Sequence, residues 1–260
     1  MSVVIKKPMG RYGNQLCPYF VGRILSENLQ FKLFGPTKDH AEFMLHDINL
    51  NYNQPNFQQY EMPIQQIGNH SLSDDHCNPD FDILETIKDN TPRKIILDGY
   101  FQKKKYFIPF RNDIKKWFNL TQYQTQKDDI AVHIRLDDLL QPKHFNNLLP
   151  TDYYIQAIES IKKNNVSICT DSPSHPFINY LIQKYNAKLF LDNEKNTISF
   201  LAAHNNLILS QGTFSFWAGF FCEGTNIINA IPKTGWNSKT EENKDIDLLL
   251  TGTQYKYIIL

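Results

Sequence analysis

The sequence predicts an α/β protein with a parallel sheet, clearest in its C-terminal half. Three observations carry that expectation. After residue 130, short apolar runs alternate with helical patterns about four times, as in a parallel sheet with helices on its faces. The N-terminus states the same theme once, as strand, glycine turn and amphipathic helix. A polar stretch, "TQYQTQKDD" at residues 121–129, separates the two. We therefore expect an N-terminal α/β half at 1–125 and a C-terminal half at 126–260.

Residues 3–5 are the first strand candidate. "PMGRYGNQ" follows as a turn. Leu16, Phe20 and Ile24 then recur four apart, and Val21, Leu25 and Leu29 widen the same side of a helix. If Asn14 or Gln15 opens it, Pro18 falls in the first turn, where proline is tolerated. "FKLFG" is a second strand, stopped by Gly35 and Pro36. Residues 50–93 hold Pro55, Pro63, Pro79 and Pro92 and read as loop with short helices. "KIILDGY" returns to strand and "NDIKKWF" to helix. Further strands are expected at 130–134, 166–169, 189–191, 207–209 and 227–231. One helix between them starts at Asp152, capped by Thr151, with Tyr154, Ile155, Ile158 and Ile161 on one face. The others are "PFINYLIQKY", "TISFLAAH" and "TFSFWAGFF".

Composition narrows the function. The chain has 260 residues, 41% hydrophobic and 21% charged, so it buries a core without a disulfide framework. Its 27 basic and 27 acidic residues cancel, which argues against a nucleic-acid stripe or a basic membrane face. "KKK" at Lys103 to Lys105 reads as a solvated face. Cys17, Cys77, Cys169 and Cys222 form no CxxC pair and suit a reducing compartment. The start lacks an apolar signal stretch, and no run approaches a membrane span. Cytoplasmic residence is the expectation, and the sequons at Asn69, Asn119 and Asn165 carry no message there. Oligomeric state is left open.

Three segments carry chemistry. In "AVHIRLDDLL", residues 131–140, a strand puts Ala131, His133 and Arg135 on one face and Val132 and Ile134 on the other. Arg135 then sits where a parallel sheet opens into its crevice. A planar, permanently charged fork suits a phosphate. Asp138 fixes that guanidinium or touches an acceptor; a purely structural Arg–Asp pair is the alternative. "GRYGNQL", residues 10–16, is a glycine turn opening a helix, a place that favours anions. It is neither a Walker loop nor GxGxxG, and alone it reads as a tight turn. In "SQGTFSFWAGFF", residues 210–221, Ser210, Gly212 and Thr213 bend the chain into an aromatic helix. Hydroxyls of Thr213 and Ser215 at that helix start suit a diphosphate. Phe214, Phe216 and Trp217 read as core packing rather than a stacking platform.

Together the segments resemble the α-1,2-fucosyltransferase family (glycosyltransferase family 11). "GRYGNQL" is similar to its GxxGNQ element, and "LDGYFQKKKYF" at 97–107 to its "GYFQ…KYF" segment. "VHIRLDD" is similar to HxRxxD at His133, Arg135 and Asp138. "LPTDYYIQAI", "SQGTFSFWAGF" and "IPKTGW" resemble the tyrosine-pair helix, the "TFSWW" element and the closing strand. The six occur in family order across nearly the whole chain.

The resemblance implies two Rossmann-like halves of the GT-B type, acceptor side first and nucleotide-sugar side second. It implies inverting, metal-independent transfer of L-fucose from GDP-fucose to a glycan or saccharide acceptor, with the 2-OH of galactose as the family default. By the same analogy Arg135 and His133 serve catalysis and the donor, with Asp138 as the first choice of base and Asp137 and His144 as rivals. Gly13 and Asn14 face the fucose-phosphate. Gly212, Thr213, Phe214 and Ser215 form the other donor-binding element. Departures stand beside the match. Leu136 replaces a second arginine, Asp137 replaces a glycine, and Thr197 occupies the place of an aspartate, for which Asp192 or Glu194 would substitute. The chain is also short for the family, which implies trimmed acceptor-side loops.

Arginine at that crevice suits a metal-free mechanism. Glycosyl transfer builds positive charge on the sugar and negative charge on the leaving group, and a fixed guanidinium and helix-start amides can take the place of a cation. Two other readings stay open. A metal-dependent glycosyltransferase would use a DxD pair, at Asp80 to Asp82 or Asp245 to Asp247. An inactive nucleotide- or carbohydrate-binding homologue is the third.

Overall fold

The computed structural model describes residues 1–7, 10–35, 41–47, 63–69, 81–125, 128–161, 165–232 and 246–260. They form two compact units, Met1–Phe118 and Asn119–Leu260. The division falls before the expected one at 125/126, for a physical reason. The stretch that reads as a linker is bonded to the second unit. The Thr121 amide donates to Ser199 Oγ, Thr121 Oγ1 to Asn196 Oδ1 and Thr125 Oγ1 to the Ala203 carbonyl. Tyr123 sets its ring edge-on to Phe190 and Phe200.

The first unit contains β1 (Ser2–Ile5), α1 (Tyr12–Leu29), β2 (Lys32–Phe34), β3 (Ile64–Asn69), α2 (Ile83–Lys88), β4 (Lys94–Gly99) and α3 (Arg111–Phe118). Its sheet runs β2-β1-β4-β3, all parallel. The apolar stripe of α1 is buried as its spacing predicts. The helix starts earlier than expected, however, at Tyr12, so Pro18 is interior rather than in the first turn. Without an N–H it donates nothing to the Asn14 carbonyl one turn back. β3 arises inside the stretch read as loop, because it pairs with β4 along its whole length. α2 is one of the short helices expected there, capped by the Asp82 carboxylate, which accepts the Leu84 and Glu85 amides.

The second unit contains β5 (Ile130–Ile134), α4 (Thr151–Ser160), β6 (Val166–Thr170), α5 (Pro176–Tyr185), β7 (Lys188–Leu189), α6 (Glu194–Ala202), β8 (Asn206–Ile208), α7 (Thr213–Phe221), β9 (Asn226–Ile231) and β10 (Tyr255–Ile259). The sheet order is β10-β9-β8-β5-β6-β7, all parallel. Numbered within the unit from β7 across, this is third, second, first, fourth, fifth, sixth: the doubly wound Rossmann order. The predicted α/β class with parallel sheets is therefore what the chain adopts.

The two faces of β5 part as expected. Ile130, Val132 and Ile134 join a core with Tyr153, Tyr154, Ile158 and Ile178, and His133 turns toward α7. α4 differs in detail: Pro150 is its N-cap and Thr151 its first residue, so no side chain caps it. It is held by burial instead. Tyr153, rather than Ile155, fills the inner face, and its hydroxyl donates to the Leu209 carbonyl at 2.7 Å. Burial raises the pKa of both tyrosines. The 189–191 run yields only a two-residue edge strand. β10 was not anticipated. Cys17, Cys169 and Cys222 are buried thiols; Cys77 lies outside the described residues. Among the described residues no helix is long and apolar enough to cross a membrane.

Candidate functional site

In the second unit the chain leaves β5 and β8 in opposite directions along the sheet. Ligands of doubly wound sheets bind at such a switch point, beyond the carboxyl ends of the strands. β5 delivers Arg135 there and β8 delivers residues 210–213. The Arg135 amide donates to Ser210 Oγ at 3.3 Å, and that hydroxyl also meets the Tyr154 hydroxyl at 2.8 Å. The two strand ends are thus bolted together.

The guanidinium is clamped. Nε and Nη2 donate to Asp138 Oδ1 and Oδ2 at 3.2 and 2.7 Å, a bidentate fork of the stronger kind. Both oxygens of Asp138 are on Arg135, the geometry of a clamp on the guanidinium and equally of a structural Arg–Asp pair. Nη1 lies over Gly212, whose φ is +108°. A Cβ there would sit 2.6 Å from Nη1. Gly212 is also the N-cap of α7, with no side-chain cap. The first-turn amides of a helix have no carbonyl within it to donate to and gather positive potential. Arg135 Nη1, Gly212 and the start of α7 therefore form a cationic corner suited to an anion.

His133 and Ser215 are more buried than a ligand-facing role suggests. His133 Nδ1 meets Ser215 Oγ at 2.6 Å, and the imidazole packs on the half-buried Phe214 ring. In this state the Ser215 hydroxyl serves His133. Phe216 and Trp217 are core residues, as their aromatic run predicts.

Sequence reasoning missed Asp171, which follows β6. Its Oδ1 accepts the Leu136 and Asp137 amides at 2.8 and 3.3 Å. Its place at the end of an apolar run, like that of Arg135, was the available signal. Asp137, Asp138 and Asp171 are the one group of acidic side chains among the described residues close enough to share a cation. The Asp138 oxygens face the guanidinium, and Asp171 Oδ1 faces backbone amides. Of the DxD strings, Asp82 caps α2, and Asp80 and Asp245 lie outside the described residues. Leu136, where the family pattern has a second arginine, is a core residue. Thr197 Oγ1 donates to the Asp192 carbonyl, and the Asp192 carboxylate accepts from Asn193 and Asn196.

In the first unit, β1 and β4 are adjacent central strands. Gly10, with φ +65°, precedes α1, and a Cβ on it would run into Asn14 Nδ2. Gly13 lies in the same first turn. Gln15 Nε2 donates to the Gly10 and Glu42 carbonyls at 2.9 and 2.6 Å, and its Oε1 accepts the Met44 amide. Gln102, beyond β4, donates from Nε2 to Asn14 Oδ1 at 3.0 Å. "GRYGNQ" and "GYFQ" meet through that bond. The end of "IPKTGW", residues 233–236, lies outside the described residues.

Comparison with known proteins bears on this arrangement. The structure is similar to that of NodZ α-1,6-fucosyltransferase soaked with GDP-fucose, with TM-score 0.53 and 12% identity, covering 92% of this chain and 97% of that one. It is similar to a mutant of Arabidopsis thaliana FUT1 in complex with GDP, with TM-score 0.51 and 10% identity over 93% of this chain and 72% of that one. POFUT1 in complex with GDP-fucose gives TM-score 0.46 and 14% identity, over 86% and 95%. At these identities the likeness is one of fold. No sequence among the curated proteins matches. The model of the family described as Glycosyl transferase family 11 matches residues 91–250, more than half of the chain and both Arg135 and Gly212. The chain belongs to glycosyl transferase family 11.

Proposed function

We propose that the protein is an inverting glycosyltransferase that moves L-fucose from GDP-fucose to a sugar hydroxyl, the 2-OH of a galactose in an α-1,2 linkage, without a metal ion. The observation that carries this reading is the cationic corner at the switch point. There Arg135 Nη1, held by Asp138, lies over Gly212 at the start of α7. Family membership supports it. So do the names of the two similar folds with TM-scores above 0.5, one soaked with GDP-fucose and one complexed with GDP.

In this reading the diphosphate lies against Arg135, Thr213 and the first amides of α7. The acceptor oxygen attacks the anomeric carbon from the face opposite the diphosphate. As the sugar–oxygen bond breaks, negative charge grows on the leaving group, where donors already aimed at it stabilise the transition state most. His133 supports the nucleotide side through Ser215 and Phe214. Gly13 and Asn14 of the first unit stand as donor-binding candidates on the family resemblance alone. Asp138 positions the cation, and the exposed Asp137 beside it takes the acceptor proton late, after the donor bond is largely broken. Three buried thiols suit the reducing cytoplasm.

A thermal-shift series with GDP, UDP, CMP and ADP tests the donor. A ligand at 100 times its dissociation constant adds about 2.7 kcal/mol. A shift with GDP alone is expected, and a preference for UDP overturns the donor. Full turnover in EDTA is expected too; complete loss there would transfer the reading to metal-dependent catalysis.

A further inference from the structure

We propose that Tyr154 is a positioning residue for Arg135, acting through the Ser210 hydroxyl. The inference rests on the reading above, in which Arg135 takes up the charge of the leaving group. The ladder between β5 and β8 runs from Ile130 opposite Asn206 to Val132 opposite Ile208. Arg135 and Ser210 lie beyond its end, so that ladder does not hold the arginine. A side chain takes over. The Arg135 amide donates to Ser210 Oγ at 3.3 Å, and Ser210 Oγ meets the Tyr154 hydroxyl at 2.8 Å. A backbone amide only donates, so the Arg135 bond stands whichever of the two hydroxyls donates to the other.

The consequence reaches the guanidinium. Ser210 stands two residues before Gly212, and a Cβ on Gly212 would sit 2.6 Å from Arg135 Nη1. The bond at Ser210 therefore fixes the root of the arginine against the same turn that its tip overlies. A serine side chain has three staggered rotamers to choose from. The buried Tyr154 hydroxyl, from α4, favours the one that accepts the Arg135 amide. Stabilisation of a leaving group depends on where a donor is aimed as much as on its presence.

Tyr153 supplies the contrast. It is the neighbouring residue of α4, equally buried, and its hydroxyl donates to the Leu209 carbonyl. Phenylalanine at either position removes a buried hydroxyl and leaves a ring for the core that both tyrosines join. Of the two hydroxyls, that of Tyr154 is the one that leads to the Arg135 amide.

The experiment uses the full chain, with urea unfolding followed by circular dichroism and GDP binding by calorimetry. Turnover is read as GDP released from GDP-fucose, by transfer to a galactoside or by hydrolysis. Variants are Tyr154→Phe, Tyr153→Phe, Ser210→Ala and Arg135→Ala, with Tyr154→Phe and Ser210→Ala each also combined with Arg135→Ala. In Tyr154→Phe and Ser210→Ala kcat falls about 10-fold, less than the about 10²–10³ of removing the donor outright. Tyr153→Phe lowers the urea midpoint as Tyr154→Phe does but keeps the kcat of wild type, as loss of a purely structural hydroxyl should. Beside Arg135→Ala, neither variant costs more than about twofold further, since groups that act through one another are not additive. If Tyr154→Phe does not fold, Ser210→Ala alone and beside Arg135→Ala decides by the same rule. Wild-type kcat in Tyr154→Phe, equal losses in the two phenylalanine variants, or a full further loss beside Arg135→Ala overturns the proposal alone, with GDP binding by wild type keeping the donor reading. A wild-type chain that binds no GDP removes the donor reading and this proposal with it.

Discussion

The two units solve one geometric problem with opposite electrostatics. Each has a glycine of positive φ before a helix, Gly10 at +65° and Gly212 at +108°. In each, a side-chain nitrogen lies where that glycine's Cβ would be, Asn14 Nδ2 in the first unit and Arg135 Nη1 in the second. In each, a partner fixes that nitrogen: Gln102 holds Asn14, and Asp138 holds Arg135. The difference is charge. The second unit offers a permanent cation beside a helix start, which attracts an anion from solution. The first offers a neutral amide, which selects orientation without long-range attraction. Affinity for an anion such as a nucleotide diphosphate should therefore reside in the second unit rather than in the first.

The harshest way to break this comparison is Arg135→Ala. Removing one aimed donor costs about 10²–10³ in turnover, and here the donor is charged, so GDP affinity falls as well. The side chain is one-quarter exposed, so the fold should survive. Steady-state kinetics with circular dichroism decide it, and near-wild-type turnover would remove the cation from the mechanism. The glycines give a finer cut. Gly212→Ala forces a Cβ to within 2.6 Å of Arg135 Nη1 at a φ that side chains rarely adopt. Such strain is worth about 1–3 kcal/mol, so GDP affinity should drop about tenfold as the guanidinium is displaced. Gly10→Ala displaces Asn14 instead, and its left-handed φ is milder, costing about 1–2 kcal/mol. Turnover should fall with GDP affinity unchanged. If calorimetry shows Gly10→Ala weakening GDP as much as Gly212→Ala, the division of labour between the units is wrong.

The same contrast explains what the sequence revealed. Strands buried on both faces read as continuous apolar runs, so "IAVHI" and "NIINAI" declared β5 and β9. β10, "YKYII", is an edge strand that is partly exposed, and β3, "IQQIGN", carries two glutamines; neither shows such a run. The caps misled for a related reason. Thr151 looks like a helix cap, but α4 is held by two buried tyrosines and needs none. Arg135 and Gly212 were legible because a charge at a strand end and a glycine before a helix are local signals. Asp138, three residues after Arg135, was legible as its partner; the partners from other strands were not. Asp171 and Ser210 reach Arg135 and Leu136 only because β6 and β8 flank β5, which sheet order decides. Gln102 finds Asn14 for the same reason, since β4 lies beside β1.

The smallest expected effect separates the two units through their glutamines. Gln211, between Ser210 and Gly212, is only 3% exposed, and neither Nε2 nor Oε1 finds a partner among the described residues. Gln102 has one orphaned atom and one used atom; Gln211 has two orphans. Burying an unsatisfied polar group costs about 1–3 kcal/mol. Gln211→Leu, which keeps most of the volume, should therefore stabilise the ligand-free protein by about 1–3 kcal/mol, seen as a higher urea midpoint at unchanged slope. Gln102→Leu should be nearly neutral, because it removes one orphan but also the bond to Asn14. The decisive quantity is the difference between the two midpoints. If Gln211→Leu destabilises as much as an ordinary core substitution, the Gln211 amide has a use in the folded chain, and the second unit's strand end is polar for its own stability rather than in spite of it.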